Sequence, residues 1–198
     1  MPKIAAPTLA EHRARQRAAL LDAATELLVT EGAAAVTPGA VGAAVGLARS
    51  SVYQYFDSGA AIIAAIIEDA FPRSNALLTA ALAGLVDPFE VVEAYVRETL
   101  RQAAEGAHRA AAALTGVDLP AGCRDRLAAL HHEQVAPLLG ALQRLDVPDV
   151  TVVARLIAGL LESAMAAVEA GAAVDVVARS ALRMIRGAVT AHGPVLPS

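Results

Sequence analysis

Aromatic residues make up only 3% of the 198 positions, and there is a single cysteine, Cys123. One thiol cannot close an internal disulfide, so a disulfide-held scaffold is excluded and a reducing, cytoplasmic setting is expected. Long apolar runs are missing too. The longest uncharged stretch, Gly32 to Ala48, is shorter than the roughly 20 apolar residues that cross a bilayer. Thr37-Pro38-Gly39 interrupts it as well, so no membrane span is expected despite a mean hydropathy of +0.50. A signal-peptide layout is absent, because Glu11, Arg13, Arg15 and Arg17 precede any apolar run. No segment alternates apolar and polar residues over a strand's length.

What is plentiful is small and aliphatic. Hydrophobic residues make up 56% of the chain, largely alanine, leucine and valine. Alanine loses no side-chain entropy in a helix, so its excess argues for helix over strand. The net charge of −4 divides unevenly. Residues 1–58 carry five basic and five acidic side chains, and the rest carries eleven basic and fifteen acidic. The head is therefore neutral and the body acidic, which gives only weak support for a polyanionic partner.

Residues up to about Pro7 read as an arm. A first helix is expected from near Leu9 to Glu31, with Leu20, Ala24, Leu27 and Leu28 on one face and Gly32 as the C-terminal cap. Thr37-Pro38 places an N-cap before a proline at the first helical position, a start signal for a short second helix ending near Val45. Gly46 supplies a tight turn, and a third short helix covers roughly Arg49 to Phe56. Two short helices joined by a glycine turn form a helix-turn-helix. Beyond Gly59, helix boundaries are expected near Phe71-Pro72, Asp87-Pro88, Glu105-Gly106, Leu119-Pro120, Val147-Pro148 and Gly171. After Pro88, Phe89, Val92, Val96 and Leu100 share one stripe.

The last two helices are apolar nearly all round. Arg155, Glu162 and Glu169 recur every seven residues, and Asp175, Arg179, Arg183 and Arg186 form a similar polar stripe. Such helices must be covered on more than one side. Either they are central core helices, or they face both the body and a second subunit in an intermolecular four-helix bundle. The second reading is preferred, with Val153, Ile157, Leu160, Ala164, Ala178, Ala181 and Ile185 as the expected interface.

Residues Leu20 to Ile62 resemble the DNA-binding head of the TetR family. The resemblance rests on Leu20-Leu21, Ala23-Ala24, Leu27-Leu28 and Gly32, then Thr37, Val41, Gly46 and Leu47. Its best-marked stretch is Val52-Tyr53-Gln54-Tyr55-Phe56-Asp57-Ser58. The body shows no sequence signature of its own. The resemblance implies that Thr37, Tyr53 and Tyr55 contact the DNA backbone. The residue types agree with that. Arg49, Ser50 and Ser51 stand where a recognition helix meets base edges. Arg49 can pair with guanine and Gln54 with adenine. Hydroxyls on Thr37, Tyr53 and Tyr55 suit phosphate oxygens, and Arg13, Arg15 and Arg17 can add contacts from the arm side. Val52 and Phe56 read as core, and one of the two tyrosines can equally be packing. The family usually has a lysine where this chain has Gly59. That loss implies either weaker binding compensated elsewhere or an altered operator.

Other chemistries fit poorly. Gly39, Gly42 and Gly46 lack the preceding strand and the Gly-Lys-Ser/Thr of a phosphate loop. His131-His132-Glu133 lacks metal-ligand spacing, because adjacent residues point to different helix faces. Cys123 is too isolated to read as a nucleophile. The expectation is an all-α protein with a three-helix helix-turn-helix head at residues 1–58. A larger helical effector-binding and dimerisation domain follows at residues 59–198. The resemblance implies a dimeric repressor that binds a palindromic double-stranded DNA operator and is released by a small molecule. No cofactor, metal or membrane is expected. That effector is expected to be apolar, with Tyr95, Thr99, His108 and His131 as polar contacts. The alternatives are a helical ligand-binding adaptor that no longer binds DNA, or a small all-helical enzyme.

Overall fold

The computed structural model describes residues 9–114, 117 and 119–190. Nine helices and a short 3-10 turn occur among the described residues, and no strand. In order they are α1 (Leu9–Glu31), α2 (Pro38–Ala44), α3 (Arg49–Val52), α4 (Gly59–Leu82), α5 (Pro88–Ala104), α6 (Arg109–Ala113), α7 (Ala121–Arg144), α8 (Val150–Glu169) and α9 (Val174–Thr190). The 3-10 turn, Ala33–Ala35, lies between α1 and α2. Two compact units are present. One is Met1–Ala70 with Arg109–Arg124, and the other is Phe71–His108 with Asp125–Ser198. Helix α4 begins in the first unit and ends in the second.

In the first unit, α1 buries Leu20, Leu21, Ala24 and Leu28, whereas Leu27 of the expected face is half-buried. Val41, Val52, Phe56, Ile62, Ile63, Ile66 and Ile67 are buried too. Thr37 caps α2, its Oγ1 accepting from the Ala40 amide at 3.2 Å, and Pro38 follows at a position where a proline costs nothing. The third helix is shorter than expected. Regular α-helix ends at Val52, and the chain tightens through Tyr53–Tyr55, with the Tyr55 amide donating to the Val52 carbonyl at 2.9 Å. A tightened last turn is a common way to satisfy helix-end groups.

Within the second unit, α8 and α9 pack against each other and both pack on α5. The core joins Val92, Val96 and Leu100 of α5 to Leu138 and Leu142 of α7, Ile157 and Leu161 of α8, and Ile185 of α9. Asp87 caps α5, its Oδ1 accepting from the amides of Phe89 (2.7 Å) and Glu90 (3.1 Å).

One expectation needs correcting. The break at Phe71-Pro72 does not occur, because α4 runs through Pro72 to Leu82. Phe71 and Leu78 are buried on either side of the proline, and that burial offsets the lost backbone bond. Helix α8 is also long and apolar enough to cross a membrane by length and composition, although Arg155 and Glu162 interrupt its uncharged run. Here it is a packed helix, burying Ala154, Ile157, Leu161, Ala164, Met165 and Val168.

Candidate functional site

The helix-turn-helix is held by close backbone packing rather than by a nucleotide loop. A Cβ at Gly42 would come within 3 Å of both the Leu47 carbonyl oxygen and Val52 Cγ2, so only glycine lets the two short helices approach this closely. Gly46 turns the chain at φ 70°. Gly59 is the tightest of these positions. A Cβ there would lie under 3 Å from the Val36 carbonyl oxygen, so a lysine side chain has no room unless the backbone moves.

On the recognition segment, Arg49, Ser50, Tyr53 and Gln54 are exposed and Ser51 is half-buried. Tyr53 keeps 41% of its surface exposed, and Arg49 donates to its hydroxyl oxygen from Nε (3.1 Å) and Nη2 (2.7 Å). Tyr55 is placed differently. Its hydroxyl donates to Gln16 Oε1 of α1 at 2.8 Å, and the Arg13 guanidinium lies 5.7 Å from its ring centroid. Arg17 stacks similarly over Phe56 at 5.5 Å. Arg13 and Arg17 therefore rest on the end of the recognition segment, whereas Arg15 donates to the Glu11 carbonyl at 3.4 Å, and all three are exposed. Thr37 is exposed, and although its oxygen caps α2, its proton remains free to donate.

The expected effector contacts are scattered in the second unit. Tyr95 is buried on α5, and burial pushes its hydroxyl up to about 12. Thr99, one turn on, is half-buried. His108 is half-buried, with Nδ1 3.5 Å from Glu169 Oε1, whereas His131 is exposed on α7.

Sequence reading missed a polar cluster joining α4, α5 and α7. Ser74 Oγ donates to Gln102 Oε1. The Gln102 Nε2 group donates to the Ser74 carbonyl (3.3 Å) and to Glu98 Oε1 (2.8 Å), and Gln134 Nε2 donates to Ser74 Oγ at 3.4 Å. Asn75 donates to the Leu130 carbonyl at 3.1 Å, while its Oδ1 is buried with no partner among the described residues. The Arg101 guanidinium beside Glu98, with Gln102 also donating, holds that carboxyl below the usual range. One signal was available in the sequence: Gln102 lies four residues after Glu98 and seven after Tyr95, so the three share one face of α5.

The expected dimer residues split. Ile157, Ala164, Ala178, Ala181 and Ile185 are buried within the protomer, while Val153 and Leu160 are partly exposed. The apolar residues left uncovered on α8 and α9 are Val152 (56% exposed), Leu156 (69%), Val176 and Met184 (62%).

A helix-turn-helix with an exposed Arg–Tyr–Gln edge, followed by a larger helical body with its own core, has the layout of a one-component DNA-binding regulator. Residues 20–66 match the family described as "Bacterial regulatory proteins, tetR family". A TetR-family transcriptional regulator from Bordetella parapertussis 12822 is similar over 92% of this chain and 98% of its own, with TM-score 0.75 and 21% identity. The regulator FadR from Bacillus subtilis, solved with stearoyl-CoA, is similar over 86% of this chain and 98% of its own, with TM-score 0.71 and 14% identity. A protein titled superantigen PfiT shares the fold over 85% of this chain and 94% of its own, with TM-score 0.70 and 24% identity. No curated protein matched the sequence. At these identities the solved structures establish the fold alone, and the family match covers the head alone. Residues 20–66 therefore carry a TetR-type head, on a chain whose fold is similar to that of TetR-family regulators.

Proposed function

We propose that this chain is a homodimeric, cytoplasmic repressor without enzymatic activity. Residues 1–58 bind a palindromic operator, and residues 59–198 hold a small, largely apolar effector that releases it. The observation that carries this reading is the exposed edge of the recognition segment. Arg49, Tyr53 and Gln54 face solvent on a helix-turn-helix whose core is fully packed, which favours a working DNA reader over an adaptor with a decayed head. Ser50, Ser51 and Thr37 extend the same contact, and Tyr55 serves it by fixing the segment to Gln16.

The uncovered residues of α8 and α9 support dimerisation. Val152, Val153, Leu156, Leu160 and Met184 line one groove, and a contiguous apolar groove on a soluble protein marks an interaction site. A second copy applied there completes a four-helix bundle. The effector's apolar part has aliphatic surroundings in the second unit, and Tyr95, Thr99, Asn75 and Gln102 offer polar contacts, with His108 and His131 as further candidates. The FadR neighbour was solved with stearoyl-CoA, whose acyl chain is long and apolar, and this supports an effector with an apolar part. Helix α4 carries Ser74 and Asn75 and begins at Gly59. A displacement at the polar cluster therefore travels along one continuous helix to the head and alters the spacing of the two recognition segments.

Selection from a randomised duplex pool by the full-length protein tests the reading. Enrichment of an inverted repeat with half-sites about one helical turn apart is expected. No enrichment at low salt contradicts DNA binding.

A further inference from the structure

Arg49 is already engaged before any DNA arrives. Its Nε and Nη2 both donate to the hydroxyl oxygen of Tyr53, one helical turn on, at 3.1 and 2.7 Å. The guanidinium carbon also lies 5.4 Å from the ring centroid. Both side chains are exposed, so the pair is not a feature of the core. The two donated bonds fill the acceptor positions of the hydroxyl oxygen and leave its own proton free for a phosphate oxygen. Arginine has five N–H donors in a rigid plane, so three remain, including both on Nη1. The stem of Arg49 passes beside Gly39 of α2, where a Cβ would lie 3.9 Å from Cδ.

We infer that Tyr53 is a positioning residue for Arg49: its hydroxyl fixes the guanidinium plane so that the free edge meets a base pair Tyr53 never touches. A residue that grips the backbone would then also set specificity. Exposed arginines normally lose rotamer freedom on reaching a base edge, and holding the group beforehand removes that cost at the moment of recognition. The inference rests on the DNA-binding reading above.

The test uses the full-length protein, the duplex it selects from a randomised pool, and single-base-pair variants of that duplex. Binding is measured for the parent, Arg49→Ala, Tyr53→Phe and the double variant. Arg49→Ala should erase discrimination at one base pair, about tenfold or more. Tyr53→Phe keeps the ring and should cut discrimination at that same pair by about three- to tenfold. In the Arg49→Ala background, Tyr53→Phe should weaken all duplexes equally and leave discrimination unchanged. Arg49→Lys lacks the fork, so Tyr53→Phe added to it should likewise leave discrimination unchanged. Thermal melts of the variants, expected to overlay the parent, separate binding from folding. Uniform weakening by Tyr53→Phe in the parent would overturn the inference, leaving the hydroxyl as a phosphate contact alone. Sharper discrimination would overturn it too, making the pair a brake on Arg49. A parent that enriches no duplex at all would instead remove the DNA-binding reading on which the inference rests.

Discussion

Replacing Gly59 with alanine adds one methyl group at the first residue of α4, directed at the backbone of the segment that enters the helix-turn-helix. The added Cβ would sit under 3 Å from the Val36 carbonyl oxygen, with the Val36 carbonyl carbon at 3.5 Å and Thr37 Cα at 3.8 Å. No flexible side chain stands in the way to yield, so α4 or the Val36–Thr37 backbone must move. Overpacking of this kind costs about 1–3 kcal/mol. The usual gain from Gly→Ala in a helix is small here, since Gly59 starts the helix rather than lying inside it. For a chain of this size each kcal/mol lowers the melting temperature by about 2–4 °C, so a fall of about 2–12 °C is expected by circular dichroism. Hydrogen exchange should quicken in α2 and the first turns of α4. Gly140→Ala is the opposing control. Gly140 lies inside α7 with nothing near its missing Cβ, so alanine there should stabilise by about 0.5–1 kcal/mol. If Gly59→Ala melts at or above the parent, the close approach between Gly59 and Val36 is not real.

Asp87→Ala removes the cap of α5 and its two amide bonds, and should cost about 1 kcal/mol, read as a lower melting temperature. Leu156→Glu places a charge on the groove between α8 and α9, and the variant should sediment as a monomer that is still folded. A dimer like the parent's would put the interface elsewhere. Glu98→Gln tests the polar cluster by pH. Because the Glu98 carboxyl is held low in the folded state, its stabilisation is complete above the unfolded value of about 4.3 and is lost as pH falls through the folded value. The parent should therefore lose stability more steeply than Glu98→Gln as pH falls below about 4.3. Parallel acid profiles would show that the Arg101 and Gln102 contacts do not act on the carboxylate.

What was legible in the sequence was local. Thr37-Pro38 and Asp87-Pro88 specify helix starts through contacts three residues long, and the stripe of Val92, Val96 and Leu100 is visible in any one helix. The head's recognition edge was legible for the same reason, as Arg49, Tyr53 and Gln54 lie within six residues. Pro72 misled because its cost is local whereas its compensation, burial of Phe71 and Leu78, comes from other parts of the fold. The Tyr55–Gln16 bond spans 39 residues and the Ser74–Gln134 bond spans 60, so neither has a pattern within a helical window. The polar stripes of α8 and α9 located the wet face of each helix. They could not show which side of the wide apolar arc meets the protomer's own core, where Ile157 and Ile185 are buried while Val152, Leu156 and Met184 stay exposed.

The central claim is that two copies of this chain read one operator together. Sedimentation equilibrium of the selected duplex with increasing protein tests it most directly. A complex of one duplex with two 20.2-kDa chains is expected, formed without a populated single-chain complex and lost in Leu156→Glu at the same concentration. A saturated complex holding one chain per duplex, or no complex at the salt concentration used for selection, would contradict it.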